Sequence, residues 1–240
     1  MNILVTGSDG FIGKSLVRYL RLNTSHNVFE FSRRHTFEDL EKSIFKIDKV
    51  FHFAGSNQWH NINELEKVNI SLTRKLCGIL KKNSNIELYF GSSIQVFLKN
   101  PYGESKKNAE DICLELERVF KNRVYILRLP GIFGSGCKPN YNSVVATFCY
   151  NVSNNYPLKI INPNKVIDLI FVDDLCEQLN DLIIKSDNEQ FIKMRNKYKI
   201  SIKELAKSIK EFGRSSNNPE KIKKMGPLKN NLYKTYLSFK

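Results

Sequence analysis

Long apolar runs are missing from this chain of 240 residues, and nothing in it approaches the roughly 18–20 consecutive apolar residues that a membrane helix needs. A strand pattern already begins at residue 2 or 3, so no leader peptide is expected. Paired cysteines are missing too. Cys77, Cys113, Cys137, Cys149 and Cys176 form no C-x-x-C pair, and an odd, scattered set fits reduced, buried thiols in a cytoplasmic protein. Histidine is scarce, and His26, His35, His52 and His60 show no ligand spacing, so no metal site is expected. Repeats and low-complexity tracts are absent. Acidic residues are in deficit: 24 Asp+Glu against 38 Lys+Arg give a net charge of +14, and residues 181–240 alone hold 15 basic and 6 acidic side chains. Such a surface attracts nucleic acid, anionic lipid or a diphosphate ligand, or simply reflects a Lys-rich composition. No nucleic-acid module and few interleaved aromatics accompany the basic residues, so nucleic acid is not expected as a partner. A hydrophobic content of 41% suffices for a substantial core.

What is present begins at once. Ile3-Leu4-Val5 is an apolar run that breaks at Thr6-Gly7, and Gly7, Gly10 and Gly13 follow at three-residue spacing. Phe11, Ile12, Leu16, Val17 and Leu20 then recur with a helical period. Strand, glycine turn and helix together open a dinucleotide-binding unit. Gly7 permits the sharp turn, Gly10 lets backbone approach a pyrophosphate, and Gly13 lets the helix pack on the strand. The amides of the helix N-terminus then face the phosphates.

Asn27–Phe31 reads as the second strand. Its tip, Ser32-Arg33-Arg34, carries no carboxylate, and Glu30 lies inside the strand. Arginines there either pair with a 2′-phosphate or are solvated loop charges; the first reading predicts NADP(H) in preference to NAD(H). Thr36–Phe45 reads as a short helix, and Lys49–Phe53 as a third strand ending in Ala54-Gly55, small residues that let backbone run close to a cofactor. His52, inside that strand, reads as a hydrogen-bonded core histidine. Trp59, the single tryptophan, either lines a pocket or covers the core edge. Further helices are expected over Ile62–Leu80, from Pro101, after Asp173-Asp174 through Ile184, and from a Ser201–Glu204 capping box to Phe212, stopped by Gly213. Further strands are expected at Ile86–Phe90, Arg123–Leu129 and Val166–Val172. Residues 214–230 read as loop. Alternating strands and helices predict an α/β fold: a Rossmann-type doubly wound parallel sheet with a small C-terminal substrate-binding lobe. All of 1–240 is expected to form one domain, with the core at about 1–128 and 166–186 and substrate-binding parts at about 129–165 and 187–240.

Tyr102 and Lys106 are four residues apart, on one helical face, and follow a strand that ends in Ser92-Ser93. A phenol is a poor acid near neutral pH. A lysine one turn away lowers its pKa and can hold a cofactor ribose, while a serine at the strand end can bond a substrate oxygen. Ser93, Tyr102 and Lys106 thus suit proton transfer coupled to hydride transfer.

These motifs resemble the extended short-chain dehydrogenase/reductases, the NAD(P)-dependent sugar epimerase/dehydratase superfamily. T-G-S-D-G-F-I-G (6–13), F-H-F-A-G (51–55), G-S-S-I-Q-V-F (91–97), P-Y-G-E-S-K (101–106), R-L-P-G-I-F-G (128–134) and F-V-D-D-L (171–175) follow the family order. The resemblance implies Ser93, Tyr102 and Lys106 as catalytic residues. It implies Gly7, Asp9, Gly10, Phe11, Ile12, Gly13, Arg33, Arg34, Ala54, Gly55, Asn69, Lys106, Leu129 and Pro130 as cofactor contacts. Y-G-E-S-K-K-N-A-E and C-K-P-N-Y-N-S-V-V-A-T-F-C-Y-N (137–151) look more closely like the capsular-polysaccharide reductases of the CapF/WbjC type. That type uses NADPH to reduce a 4-keto UDP-2-acetamido-6-deoxyhexose and continues into a cupin domain implicated in epimerisation. The resemblance covers the reductase half only. It implies either a separate cupin-type epimerase as partner or a truncated or repurposed chain.

Dehydratases of the superfamily place an acidic pair after the catalytic Ser/Thr, where this chain has Ile94 and Gln95, so dehydration is disfavoured. A 4-epimerase with tightly bound NAD is the rival within the superfamily, and a non-catalytic cofactor-binding homologue is the rival outside catalysis. Ser93, Gln95, Lys138, Asn140, Asn142 and Ser143 are the expected contacts to a UDP-sugar, although Asn and Gly at 130–142 are equally ordinary turn residues. The resemblance also implies a homodimer through the helices at 62–81 and 102–121.

Overall fold

The computed structural model describes residues 1–57, 61–185, 189–195, 198–214 and 226–240. Trp59 lies outside them, as do 215–225 of the stretch read as loop. The strands among the described residues are β1 (Asn2–Thr6), β2 (Asn27–Phe31), β3 (Lys49–His52), β4 (Glu87–Ser93), β5 (Val124–Leu129), β6 (Gly131–Phe133), β7 (Val166–Phe171), β8 (Phe191–Ile192) and β9 (Tyr198–Ser201). The helices are α1 (Phe11–Asn23), α2 (Phe37–Ser43), α3 (Ile62–Leu65), α4 (Leu72–Leu80), α5 (Pro101–Phe120), α6 (Val144–Ser153), α7 (Val172–Ile184), α8 (Ile202–Arg214) and α9 (Pro227–Leu237). Two compact units result: Met1–Leu129 with Cys176–Met194, and Pro130–Leu175 with Arg195–Lys240.

The first unit is the expected doubly wound α/β layer structure. Its six-stranded sheet has the order β2-β1-β3-β4-β5-β8, with every pairing parallel. The chain leaves β1 in opposite directions to reach β2 and β3. This puts the topological switch beside the C-terminal end of β1, where open parallel sheets bind ligands. All four residues of β3 are buried, as are Val124 to Leu127 of β5, because helices cover both faces of such a sheet. On one face Leu4, Val50, Leu88, Phe90 and Ile126 pack with Leu76, Leu80, Cys113 and Leu116 of α4 and α5. On the other, Phe51, Tyr89 and Tyr125 stack across three neighbouring strands at 4.6 Å per step, a cross-strand ladder that supports the register. Asn100 caps α5 by accepting a hydrogen bond from Gly103 N at 2.8 Å, Pro101 starts it, and Lys121 ends it in the left-handed region at φ 67°.

The second unit is a three-stranded sheet, β6-β7-β9, packed with α6, α8 and α9 around Phe133, Phe148, Phe171, Leu205, Ile209 and Phe212. Here the structure departs from the sequence reading. The strand at 166–171 pairs with β6 and β9, not within the large sheet to which 166–186 was assigned. An apolar strand pattern reports burial and is silent about the partner. The capping box is present, with Glu204 N donating to Ser201 Oγ at 3.2 Å and Ser201 N to Glu204 Oε2 at 3.1 Å. Gly213 does not stop this helix. It lies inside α8, where a Cβ would come 2.7 Å from Val152 Cγ1, so it serves close helix packing. Of the stretch read as loop, 227–230 begins α9.

The helix expected over 62–80 is interrupted by a π-turn at Glu66–Ser71. Such turns aim side chains and release carbonyls that a regular helix would engage. Here the Asn69 carbonyl accepts the Thr73 hydroxyl at 2.7 Å. His52, fully buried, completes a polar chain as the expected core histidine. With Thr73 Oγ1 donating to Asn69, His52 Nε2 donates to Thr73 Oγ1 (3.0 Å), Nδ1 accepts from Thr6 Oγ1 (2.6 Å), and Ala54 N donates to Thr6 Oγ1 (3.4 Å). Burial, and then the Lys106 charge, push the imidazole pKa down to about 3.

A folded-state pKa below the unfolded value near 6.5 means that this stabilisation is complete above pH 6.5 and is lost as the pH falls toward 3. Replacing His52→Gln should remove about 1.4 kcal/mol per pH unit from the acid slope of unfolding free energy between pH 6 and 4.5. Equal slopes in urea titrations of the two proteins would show that the imidazole is not buried in its neutral form.

Candidate active site

The glycine turn follows directly from β1. Gly7 has φ +70° and its N donates to the Phe31 carbonyl at 2.8 Å, bending the chain between β1 and β2. A Cβ there would lie 2.6 Å from Ala54 N, and a Cβ on Gly13 would lie 2.3 Å from the Gly7 carbonyl oxygen, so neither position admits a side chain. α1 starts after Gly10 and carries no acidic residue in its first turn, which leaves its amides suited to a diphosphate. Ser8 Oγ, buried in the same loop, has no hydrogen-bond partner among the described residues, and a turn of this shape with such a hydroxyl fits a dinucleotide's phosphates. Phe11 and Ile12 are half-buried beside it, and Asp9 is exposed.

At the tip of β2, Arg33 and Arg34 are both exposed. Arg34 Nε lies 3.7 Å from Asp9 Oδ2, a solvent-exposed pair of little energetic weight. Glu30 is engaged elsewhere, 2.8 Å from Arg21 Nη2, so no strand carboxylate is offered to a ribose. Asn69 is buried and commits its amide within the chain. Its Oδ1 accepts from Ser56 N at 2.8 Å, and its Nδ2 donates to Ser56 O and Ser105 Oγ, each at 2.9 Å. It therefore pins the Ala54–Ser56 segment against α5.

Ser93, Tyr102 and Lys106 come together at the C-terminal end of β4. Ser93 ends that strand, opposite Leu129 of β5, with 8% of its surface exposed. The N-terminus of α5 packs tightly on the turn at 94–98, where a Cβ on Gly103 would lie 2.2 Å from the Gln95 carbonyl oxygen. This approach brings the Tyr102 phenol beside Ser93, whose hydroxyl favours the phenolate. The Ser93 hydroxyl also accepts from Gln95 N at 3.2 Å, while Gln95 itself is exposed. One turn on, Lys106 is 6% exposed; its Nζ donates to the Gly91 carbonyl at 2.8 Å and lies 4.9 Å over the Phe90 ring. A Cβ on Gly55 would lie 3.2 Å from the same Nζ, which shows how closely the segment after β3 approaches this lysine.

The electrostatics differ from the expectation in one respect. Burial raises the Tyr102 pKa, opposed only by the Ser93 hydroxyl, and Lys106 does not lower it, because its ammonium is turned to the Gly91 carbonyl. Burial also pushes Lys106 down to about 8, against the raising influence of Cys113 and Glu110.

Beneath Ser93 lies a cluster that sequence reasoning did not single out. Glu110 is fully buried and binds Ser92 and Arg128. A carboxylate on the buried face of a helix, four residues after Lys106, was the available signal. Ser105, which joins Asn69 to α5, had none.

Lys138, Asn140, Asn142 and Ser143 belong to the second unit. Lys138, Asn140 and Asn142 are exposed, and both asparagines adopt positive φ, 56° and 53°, which accounts for Asn at those turn positions. Ser143 caps α6, accepting from Ala146 N at 3.3 Å. Pro130 is buried at the start of this unit.

A pattern of glycine turn, small residues after β3 and a Ser–Tyr–Lys set has known counterparts. The NAD dependent epimerase/dehydratase family model matches residues 3–191. UDP-2-acetamido-2,6-beta-L-arabino-hexul-4-ose reductase of Pseudomonas aeruginosa is 36% identical over 241 residues, covering 100% of this chain and 65% of that protein. The crystal structure of the capsular polysaccharide assembling protein CapF from Staphylococcus aureus superposes with a TM-score of 0.81 at 33% identity, again over 100% of this chain and 65% of the other. The chain thus spans somewhat less than two thirds of both. UDP-glucuronic acid 4-epimerase from Bacillus cereus, in complex with NAD, gives a TM-score of 0.87 at 19% identity over 100% of this chain, a likeness of fold. The family match over residues 3–191, more than three quarters of the chain, establishes that the chain belongs to the NAD dependent epimerase/dehydratase family.

Proposed function

We propose that the chain is a nucleotide-sugar 4-ketoreductase that uses NADPH to reduce a 4-keto UDP-2-acetamido-6-deoxyhexose for capsular or O-antigen polysaccharide. The observation that carries the reading is the convergence of Ser93 at the end of β4 with Tyr102 and Lys106 on the first turns of α5, which packs on the turn after β4, in a chain 36% identical to a reductase named for a hexul-4-ose. Ser93 holds the keto oxygen by its hydroxyl. Tyr102 donates its phenolic proton to that oxygen; a raised pKa keeps this proton in place until the oxygen becomes basic. Lys106, whose ammonium is turned to the Gly91 carbonyl and does not lower the Tyr102 pKa, is the residue for the cofactor ribose. Bound NADPH supplies the hydride that such a site needs. Gly7 to Gly13 anchor the diphosphate, and Arg33 and Arg34 face the 2′-phosphate.

The second unit reads the UDP-sugar through Lys138, Asn140 and Asn142. Gln95 and Ser143 stand as further substrate contacts, and Leu129 and Pro130 as contacts to the nicotinamide side of the cofactor. On this reading the enzyme works in the cytoplasm as a homodimer. The absorbance of the nicotinamide band tests it: stoichiometric NADPH oxidation with a 4-keto UDP-sugar supports reduction, whereas sugar conversion with bound NAD and no net oxidation makes the protein a 4-epimerase.

Three outcomes follow from the roles. Tyr102→Phe should lower kcat by about 10²–10⁴ with NADPH affinity retained, and undiminished turnover would remove the tyrosine from the mechanism. Arg33→Ser with Arg34→Ser should weaken NADPH binding roughly tenfold and leave NADH nearly unaffected; equal losses for both cofactors would withdraw the NADP assignment. Lys106→Met should abolish turnover yet stabilise the free protein by about 1–3 kcal/mol at pH 7. A lysine lowered from 10.5 to about 8 penalises the folded state below those values, so the gain should fade as pH approaches 10.5 in denaturant titrations.

A further inference from the structure

Tyr102, Lys106, Glu110 and Cys113 lie along one face of α5. Glu110 is 0% exposed and accepts three hydrogen bonds: Ser92 Oγ at 2.5 Å, Arg128 Nε at 2.9 Å and Arg128 Nη2 at 2.7 Å. The guanidinium is held in turn between the Phe97 and Phe191 rings, at 4.8 Å and 4.5 Å. One carboxylate therefore ties α5 to β4 and β5 through a bidentate pair, whose planar geometry resists sliding and rotation. Ser92, the residue it holds on β4, directly precedes Ser93. A shift of α5 along β4 would break this clamp and part Tyr102 from Ser93.

The same carboxylate is placed to act on charge. The titratable and charged groups around Lys106 are Tyr102, Glu110 and Cys113 from α5, Arg128 of β5 paired with Glu110, and His52 from β3. His52 is neutral near physiological pH, and burial and the neighbouring Cys77 of α4 keep the Cys113 thiol protonated. Glu110 alone of these brings negative charge.

We infer that Glu110 is a positioning residue for the reaction, holding Ser93 against Tyr102 and supplying the negative charge that keeps Lys106 an ammonium. The kinetic part rests on the ketoreductase reading; the electrostatic part does not.

Two substitutions separate the tasks. Glu110→Gln keeps the shape and an acceptor for Ser92 but deletes the charge. Glu110→Asp keeps the charge but draws it back by about 1.5 Å. The side-chain titration of Lys106 is followed by carbon NMR of the lysine ε position in the free protein, assigned by its loss in Lys106→Met. Glu110→Gln should lower the Lys106 midpoint by about one pH unit and move the high-pH limb of kcat equally. Glu110→Asp should leave the midpoint in place and lower kcat by roughly 10- to 100-fold at unchanged KM for NADPH. Ser92→Ala, which leaves the ion pair intact, should lower kcat several-fold without moving the titration. If Glu110→Gln does not fold, Glu110→Asp and Ser92→Ala, which both keep the carboxylate charge, still decide the positioning role through kcat. A Lys106 midpoint unmoved by loss of the Glu110 charge, or full kcat per folded molecule in Glu110→Asp and Ser92→Ala, would overturn the inference and leave Glu110 a structural residue. The titration needs no substrate, so a wild-type protein inactive on every 4-keto UDP-sugar would sink the ketoreductase reading while Lys106 still reported on Glu110.

Discussion

The hydrogen bonds that His52 accepts from Thr6 and donates to Thr73 are the connection on which the ligand edge of the first unit depends. Through Thr6 they reach the residue before Gly7 and the amide of Ala54. Through Thr73 they reach Asn69, whose side chain holds Ser56 and Ser105. The end of β1, the segment after β3 and the helix bearing Tyr102 and Lys106 are thus linked by polar groups with almost no access to water. Such a chain is rigid because each member, if released, would leave a buried donor or acceptor unmet. The π-turn at Glu66–Ser71 belongs to the same arrangement, since it contains Asn69, whose carbonyl accepts the Thr73 hydroxyl.

A site of this kind carries costs of its own. Lys106 is buried against a carbonyl and an aromatic ring, and desolvation opposes its charge. His52 is buried neutral and makes the fold acid-sensitive. Tyr102 is held in a place that disfavours its anion. Each would be replaced by an apolar residue if stability alone decided the composition of these positions. Glu110 and Arg128 meet the same problem differently, by pairing in bidentate fashion. The free energy that offsets these groups comes from the apolar layers on both faces of the sheet.

Much of the site was legible because its chemistry is local in sequence. A glycine triplet after a strand and a Tyr–Lys pair one helical turn apart are patterns of short range, and the structure puts them where the strand-and-helix reading placed them. The ranges of β2 and α5 and the capping box at Ser201 were readable for the same reason: caps and periods are set by neighbours within a few residues. What escaped depends on partners far along the chain. The pairing of β7 with β6 and β9, the packing role of Gly213 and the π-turn at Glu66–Ser71 all arise from contacts that no short window contains.

The sequence by itself determined the doubly wound unit, the glycine turn after β1 and the helical face shared by Tyr102 and Lys106, because backbone sterics and helical period act over four residues or fewer. Only the tertiary structure decided that Lys106 faces Gly91, that Tyr102 is raised where a lowered pKa was expected, and that Asn69, His52 and Glu110 are committed to buried partners. Those outcomes turn on desolvation and on hydrogen bonds between groups 13 to 46 residues apart in the chain, and both are properties of three-dimensional proximity.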